Sequence, residues 1–133
     1  MVMQGRGPHH EDDANSEAAP VALVEAYLAI GLRQGQAIEE FDNRTYNRLY
    51  PKRRAIATEL LSRAGDHWRL LLPLLEHSDW QVRLNTAQDL RKMAPDESRR
   101  ALETIDASNR YPYAADARLS LRPDMIFAAR ESS

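Results

Sequence analysis

The sequence predicts an all-α fold, and three observations carry that. Apolar residues recur at helical spacing along most of the chain. Val82, Thr86, Leu90 and Met93, at offsets of 0, 4, 8 and 11, line one face of a helix in this way. Turn and cap residues punctuate the periodic stretches, at Gly65-Asp66, Asp79, Pro95-Asp96 and Asn109–Pro112. Alternating runs rich in valine, isoleucine and threonine, the mark of a strand, are absent.

The elements follow in order. A first helix opens at Pro20, a residue suited to a first turn, with Ser16 or Glu17 helping the entry. It carries Leu23, Tyr27, Ile30, Ala37 and Phe41 along one stripe. Gly31 and Gly35 lie inside it, each costing roughly 1 kcal/mol against alanine. They either admit a second helix at close range or mark a kink. The second helix, from about Asn43 to Arg63, turns Leu49, Ile56 and Leu60 to one face. Pro51 removes a donor within it, so a kink or a restart is expected there.

Gly65 suits the left-handed end of that helix, and Asp66 is an N-cap for a third, which presents Trp68, Leu71, Leu72 and Leu75. Asp79 caps the fourth helix and Pro95 stops it. Asp96 caps a fifth, with Ala101, Leu102 and Ile105 inward. The sixth, from about Tyr113 to Arg122, offers Ala114, Ala117 and Leu121 and ends at Pro123. Met125, Ile126 and Phe127 form a short apolar cap.

Residues 1–19 hold several acids and hardly any large apolar group, so they are expected to form a disordered acidic tail. Residues 20–127 form one helical domain and 128–133 a C-terminal tail. A chain of 133 residues with 43% hydrophobic content sustains a single core. The formal charge of −2 gives no global attraction to nucleic acid or anionic lipid. There is no cysteine, which removes disulfides and thiolate metal sites. No apolar run is long enough for a membrane span and no secretory signal opens the chain, so the expected location is cytoplasmic.

The chain repeats itself. A shift of 30 residues carries Arg53, Ala57 and Leu60 onto Arg83, Ala87 and Leu90, and a second shift reaches Tyr113, Ala117 and Ser120. Leu72 and Leu75 map onto Leu102 and Ile105 in the same way. A helix pair cannot bury its apolar stripe alone, so such units stack. The segment Leu70–Met93, LLLPLLEHSDWQVRLNTAQDLRKM, resembles a HEAT-type repeat, with a polar turn before a helix that opens on Val82-Arg83. With YNRLY at 46–50, ELLSRAGD at 59–66 and YPYAADARLSL at 111–121, the body resembles a small bacterial helical-repeat family of unknown function. The resemblance implies a right-handed α-α superhelix of about three antiparallel helix pairs, working by surface contact. HEAT units often carry an aspartate six residues before the arginine of the Val-Arg pair. That place is His77 in this chain, which puts the usual polar ladder between repeats in doubt.

Signs of chemistry are few. His67 and His77 stand ten apart without the partners a helical metal face needs, and His9 with His10 sits in the acidic tail. There is no Gly-x-Ser-x-Gly elbow and no phosphate-binding loop, and Glu39 and Glu40 diverge around a helix. No catalytic residue, metal or cofactor is therefore expected, and the chain is read as non-enzymatic. The surface feature that stands out is basic: Arg44, Arg48, Lys52, Arg53 and Arg54, interleaved with Tyr46 and Tyr50. Planar guanidinium groups beside tyrosines make good protein anchors. Trp80 at a repeat edge, and Arg83, Arg91 and Arg118 on second helices, join Arg44, Arg48, Tyr50, Arg53 and Arg54 as candidate contacts. The expected function is a protein-interaction module of immunity or scaffold type. The alternative is a nucleic-acid-binding accessory protein that uses the Arg44–Arg54 segment.

Overall fold

A computed structural model describes residues 8–62 and 65–122, with side chains from residue 19 onward. Helix α1 spans Pro8–Glu39 and α2 spans Asn43–Ser62. A 3-10 helix, η1, covers His67–Glu76. Then come α3 at Trp80–Asp89, α4 at Pro95–Ala107 and α5 at Tyr113–Ser120. No strand occurs among the described residues, so the protein is all-helical.

Short turns join α1 to α2 and α4 to α5, and each pair packs along its length. Helix α3 lies between the two pairs and touches η1, α4, α5 and α1. The close approach of α1 to α3 explains the two glycines. A Cβ at Gly31 would stand 3.0 Å from Val82 Cγ2, and one at Gly35 would stand 3.3 Å from Asp79 Oδ2. Of the two roles open in the sequence, both glycines serve the close approach.

The apolar stripes meet in one core built on Tyr27, Leu60, Leu71, Val82, Leu90, Leu102 and Ile105. The 30-residue shift is visible in burial. Ala57, Ala87 and Ala117 are all 0% exposed, and Leu60, Leu90 and Ser120 are buried at the next equivalent place. Small residues at that position let each helix sit close to its neighbour.

Several boundaries differ from those read in the sequence. Helix α1 begins at Pro8, so Pro20 lies inside it, and residues 8–19 of the expected tail are helical. Residues 1–7 and 123–133 lie outside the described residues, and with them the expected cap at 125–127 and the C-terminal tail. Pro51 neither breaks nor restarts α2, which runs through it. Asn47 and Pro51 are both exposed, so water can satisfy the carbonyl that loses its donor.

The third helix is 3-10 rather than α. Its repeat of three residues per turn sets Trp68, Leu71 and Leu74 in one line, and all three are buried. Leu72, expected inward, is only half-buried. Asp66 does not cap η1 with its side chain; it sits left-handed at φ 60° and its carbonyl accepts from the Arg69 N–H at 3.0 Å. Asp79 does cap α3, its Oδ1 accepting from the Val82 N–H at 3.0 Å. Helix α3 ends at Asp89, short of Met93, which is exposed. Ala94 takes the cap position of α4, with Pro95 first and Asp96 in the first turn near the positive end of the helix dipole.

Candidate functional site

The basic run on α2 divides into a surface row and a buried part. Arg44, Arg48 and Lys52, at i, i+4 and i+8, are exposed along one side of the helix. Arg53 is not a surface residue: it is 2% exposed. Its Nη1 donates to Asn85 Oδ1 at 2.8 Å and its Nη2 to Asp89 Oδ1 at 3.1 Å, while its Nε stands 3.1 Å from Asp89 Oδ2. Arg54 reaches the same carboxylate from the surface, Nη1 to Oδ1 at 2.6 Å. Tyr27 donates its hydroxyl to Asp89 Oδ2 at 2.6 Å. Burial first, and then the Asp89 charge, push the Tyr27 phenol well above its usual pKa.

The network continues along α3. Gln81 donates to Asn85 Oδ1 at 2.8 Å, and Asn85 donates to Gln34 Oε1 at 3.0 Å. Gln81, Asn85 and Asp89 stand at i, i+4 and i+8, so one polar edge of α3 faces α1 and α2. This seam satisfies buried polar groups. It takes Arg53 out of the contact surface expected from sequence, while Arg54 stays exposed with its guanidinium paired to Asp89.

The remaining candidates sit as follows. Tyr50 is half-exposed, with the Arg53 guanidinium 5.1 Å from its ring centre. Arg83 donates from Nε to the His77 carbonyl at 2.6 Å and stacks over Trp80 at 4.6 Å. The Arg83 guanidinium is thus held by the backbone of His77. The His77 ring accepts the Asp79 N–H at Nδ1, 3.0 Å. Arg91 is exposed on the turn after α3 rather than on the helix. Arg118 donates from Nε to Asp106 at 2.9 Å, and that bond leads the rise in its pKa.

A pocket of about 660 Å³ opens where three turns meet. The α1–α2 turn contributes Phe41, the η1–α3 turn Asp79, the first residue of α3 Trp80, and the α4–α5 turn Arg110 and Tyr111, with Tyr113 and Glu39 also in the lining. Phe41 is 89% and Tyr111 58% exposed. Phe41 stands at φ 57°, a left-handed turn that swings its ring out of the α1 stripe to which its spacing assigned it. Burial, followed by the charges of Asp79 and Glu39, pushes the Tyr113 phenol up.

Of the residues around this pocket, only Trp80 is a contact by its place in the sequence. Spacing assigns Phe41 to the core, Glu39 makes a poor acid/base candidate, and Arg110 and Tyr111 belong to a turn. The available signal was an aromatic residue in or beside each turn, where a helical stripe has no use for it. Trp80 itself is half-buried against the core.

No group of three or more His, Asp or Glu side chains among the described residues gathers around a metal-sized point. No described helix is long and apolar enough to cross a membrane. The surface carries an aromatic pocket where the three turns meet, and the exposed row Arg44, Arg48 and Lys52 follows along α2.

Those features describe a small all-helical protein. Residues 21–124 match the DUF2019 family, described as a domain of unknown function, and the chain belongs to that family. The crystal structure of the protein RPA1889 from Rhodopseudomonas palustris CGA009 is similar, with a TM-score of 0.76 at 33% identity, over 82% of this chain and 88% of that one. No curated protein matches.

Proposed function

We propose that this protein is a non-enzymatic, HEAT-like interaction module, three helix pairs stacked as a right-handed superhelix, that binds a protein partner. The observation carrying this reading is the pocket where three turns meet, with an aromatic side chain in or beside each turn, two of them more than half exposed. Exposed aromatic groups gathered around a pocket mark a contact site, and such side chains anchor interfaces. The helices on either side hold them in place before contact, so little ordering entropy opposes binding. The exposed row Arg44, Arg48 and Lys52 begins at the same end and supplies a positive flank. A cytoplasmic bacterial immunity-type protein, a small fold that occludes a toxin, is the concrete form this takes. A general scaffold is the other.

Cross-linking in native cell extract tests this, with wild type beside the Phe41→Ala/Tyr111→Ala variant. The expected result is one discrete partner retained by wild type and lost by the variant at unchanged thermal stability. Equal recovery by both proteins removes this surface from the reading.

The surface arginine row also favours a second reading, a nucleic-acid-binding accessory role. It predicts a low-salt gel shift that weakens steeply with salt and disappears in Arg44→Ala/Arg48→Ala. Absence of any shift at low salt excludes it.

A further inference from the structure

We infer that the pocket between the three turns is a receptor for a guanidinium group and takes an arginine side chain of the partner polypeptide. This rests on the interaction reading above and specifies the partner's chemistry.

Two carboxylates border the pocket, Glu39 and Asp79, against one cation, Arg110. Neither carboxylate has an ion-pair partner among the described residues. Asp79 Oδ1 accepts the Val82 N–H, and Oδ2, beside Gly35, accepts no hydrogen bond among the described residues. Both carboxylates line the same pocket as Tyr113, and both charges act on its phenol. An anionic ligand would find two carboxylates in the lining and Arg110 alone to receive it, since Arg83 beneath Trp80 is already held by the His77 carbonyl. A wholly apolar segment would strip water from both carboxylates and give nothing back.

The aromatic walls suit the same cation. Phe41 and Tyr111 present exposed rings. The chain already shows the mode of contact at the third ring. Trp80 carries the Arg83 guanidinium at 4.6 Å and that of Arg110 at 5.8 Å. A guanidinium is planar, weakly hydrated and able to pair bidentately with a carboxylate while stacking on a ring. A lysine ammonium keeps its water more tightly and lacks the flat face. Arg110 is exposed and near the outer range of ring contact, so it competes loosely for the same aromatic wall.

The test is an NMR titration of the full chain with N-acetyl-arginine N-methylamide, beside its uncharged isostere N-acetyl-citrulline N-methylamide. The Trp80 indole N–H and the amides of 38–41 and 110–113 report binding, and the Trp68 indole serves as the buried control. A single side chain binds on the order of millimolar. The arginine probe is expected to give a saturable shift at these positions, with the citrulline probe weaker by about fivefold or more, a difference of about 1 kcal/mol. Glu39→Gln weakens the arginine probe, and Arg110→Ala, which removes the competing cation, tightens it. Both side chains are exposed, so both variants keep the fold. Equal response to the two probes, or no saturable shift, overturns the inference. Partner capture that still depends on Phe41 and Tyr111 beside a flat arginine titration sinks the guanidinium inference alone. Capture indifferent to those two residues sinks the interaction reading of this surface, whatever the titration gives.

Discussion

Tyr27 and Asp89 stand 62 residues apart in the chain and 2.6 Å apart in space, phenol to carboxylate, at a site closed to solvent. Arg53 and Arg54 converge on the same carboxylate. One side chain on α3 therefore ties α1 and α2 to the centre of the molecule. The seam, the packing around it and two titrating aspartates each carry a testable consequence.

Removing one member of the buried set leaves the others uncompensated. Asp89→Leu should cost about 3–5 kcal/mol in urea unfolding. The triple variant Tyr27→Phe/Arg53→Met/Asp89→Leu removes the stranded polar groups together and should recover most of that loss. On the exposed row, Arg48→Ala should change stability by no more than about 0.5 kcal/mol. A triple variant as unstable as Asp89→Leu would show that the polar seam itself, rather than its completeness, stabilises the fold.

Gly31 gives a sign change. Alanine adds about 1 kcal/mol of helix propensity, but its Cβ meets Val82 Cγ2 at 3.0 Å, and Val82 is 1% exposed with nowhere to move. Gly31→Ala alone should destabilise, by about 1–3 kcal/mol. In a Val82→Ala background the same change should become neutral or stabilising. A double-mutant cycle by chemical denaturation reads the coupling, and additive effects would refute the close contact.

Acid stability depends on two aspartates of opposite sign. Asp42 accepts from the Thr45 hydroxyl at 2.6 Å and the Thr45 N–H at 3.0 Å, which hold its carboxyl below the ordinary 3.8. Its folded pKa is depressed, so its contribution is complete above the ordinary value and drains away as pH falls through the lower folded value. Asp42→Asn keeps a capping residue and should flatten the loss of stability below about pH 4. Asp116 is pushed up by burial, so its ionised form costs stability above the raised value and the cost vanishes below the ordinary one. Asp116→Asn should therefore stabilise at neutral pH and do nothing at about pH 3. Urea midpoints across that range decide both.

The 3-10 geometry of η1 separates two neighbouring leucines. Leu74 lies on the buried line with Trp68 and Leu71, whereas Leu70 is exposed. Leu74→Ala should cost about 2–5 kcal/mol and Leu70→Ala no more than about 0.5 kcal/mol. Comparable losses at the two positions would contradict this geometry.

The apolar periodicity was enough to find all six helical elements, because each stripe packs on its immediate neighbours. The cap at Asp79 was legible for the same reason, being a bond within one turn. Long-range polar partners were not. Nothing local to Arg53 says that a carboxylate 36 residues on will bury it, and the alternation of Gln81, Asn85 and Asp89 beside an apolar stripe was the only trace. Phe41 fits the α1 stripe by spacing and leaves it through one left-handed residue, a backbone choice that spacing does not encode. The candidate pocket is not legible in the sequence because it draws on three turns far apart in the chain. The 3-10 register of η1 is not legible either, because α and 3-10 spacing agree over a single turn.

The order of synthesis follows from the place of α3. A nascent chain that has reached Glu76 already holds Tyr27, Arg53 and the glycine face of α1, yet the carboxylate and the valine that complete them are still unmade. Until α3 clears the ribosome, the first hairpin has an unmatched cation and an open furrow, and it should remain digestible. Arrested chains of increasing length should gain protease resistance in one step once Asp89 has emerged, and resistance at shorter lengths would show that the hairpin stands alone.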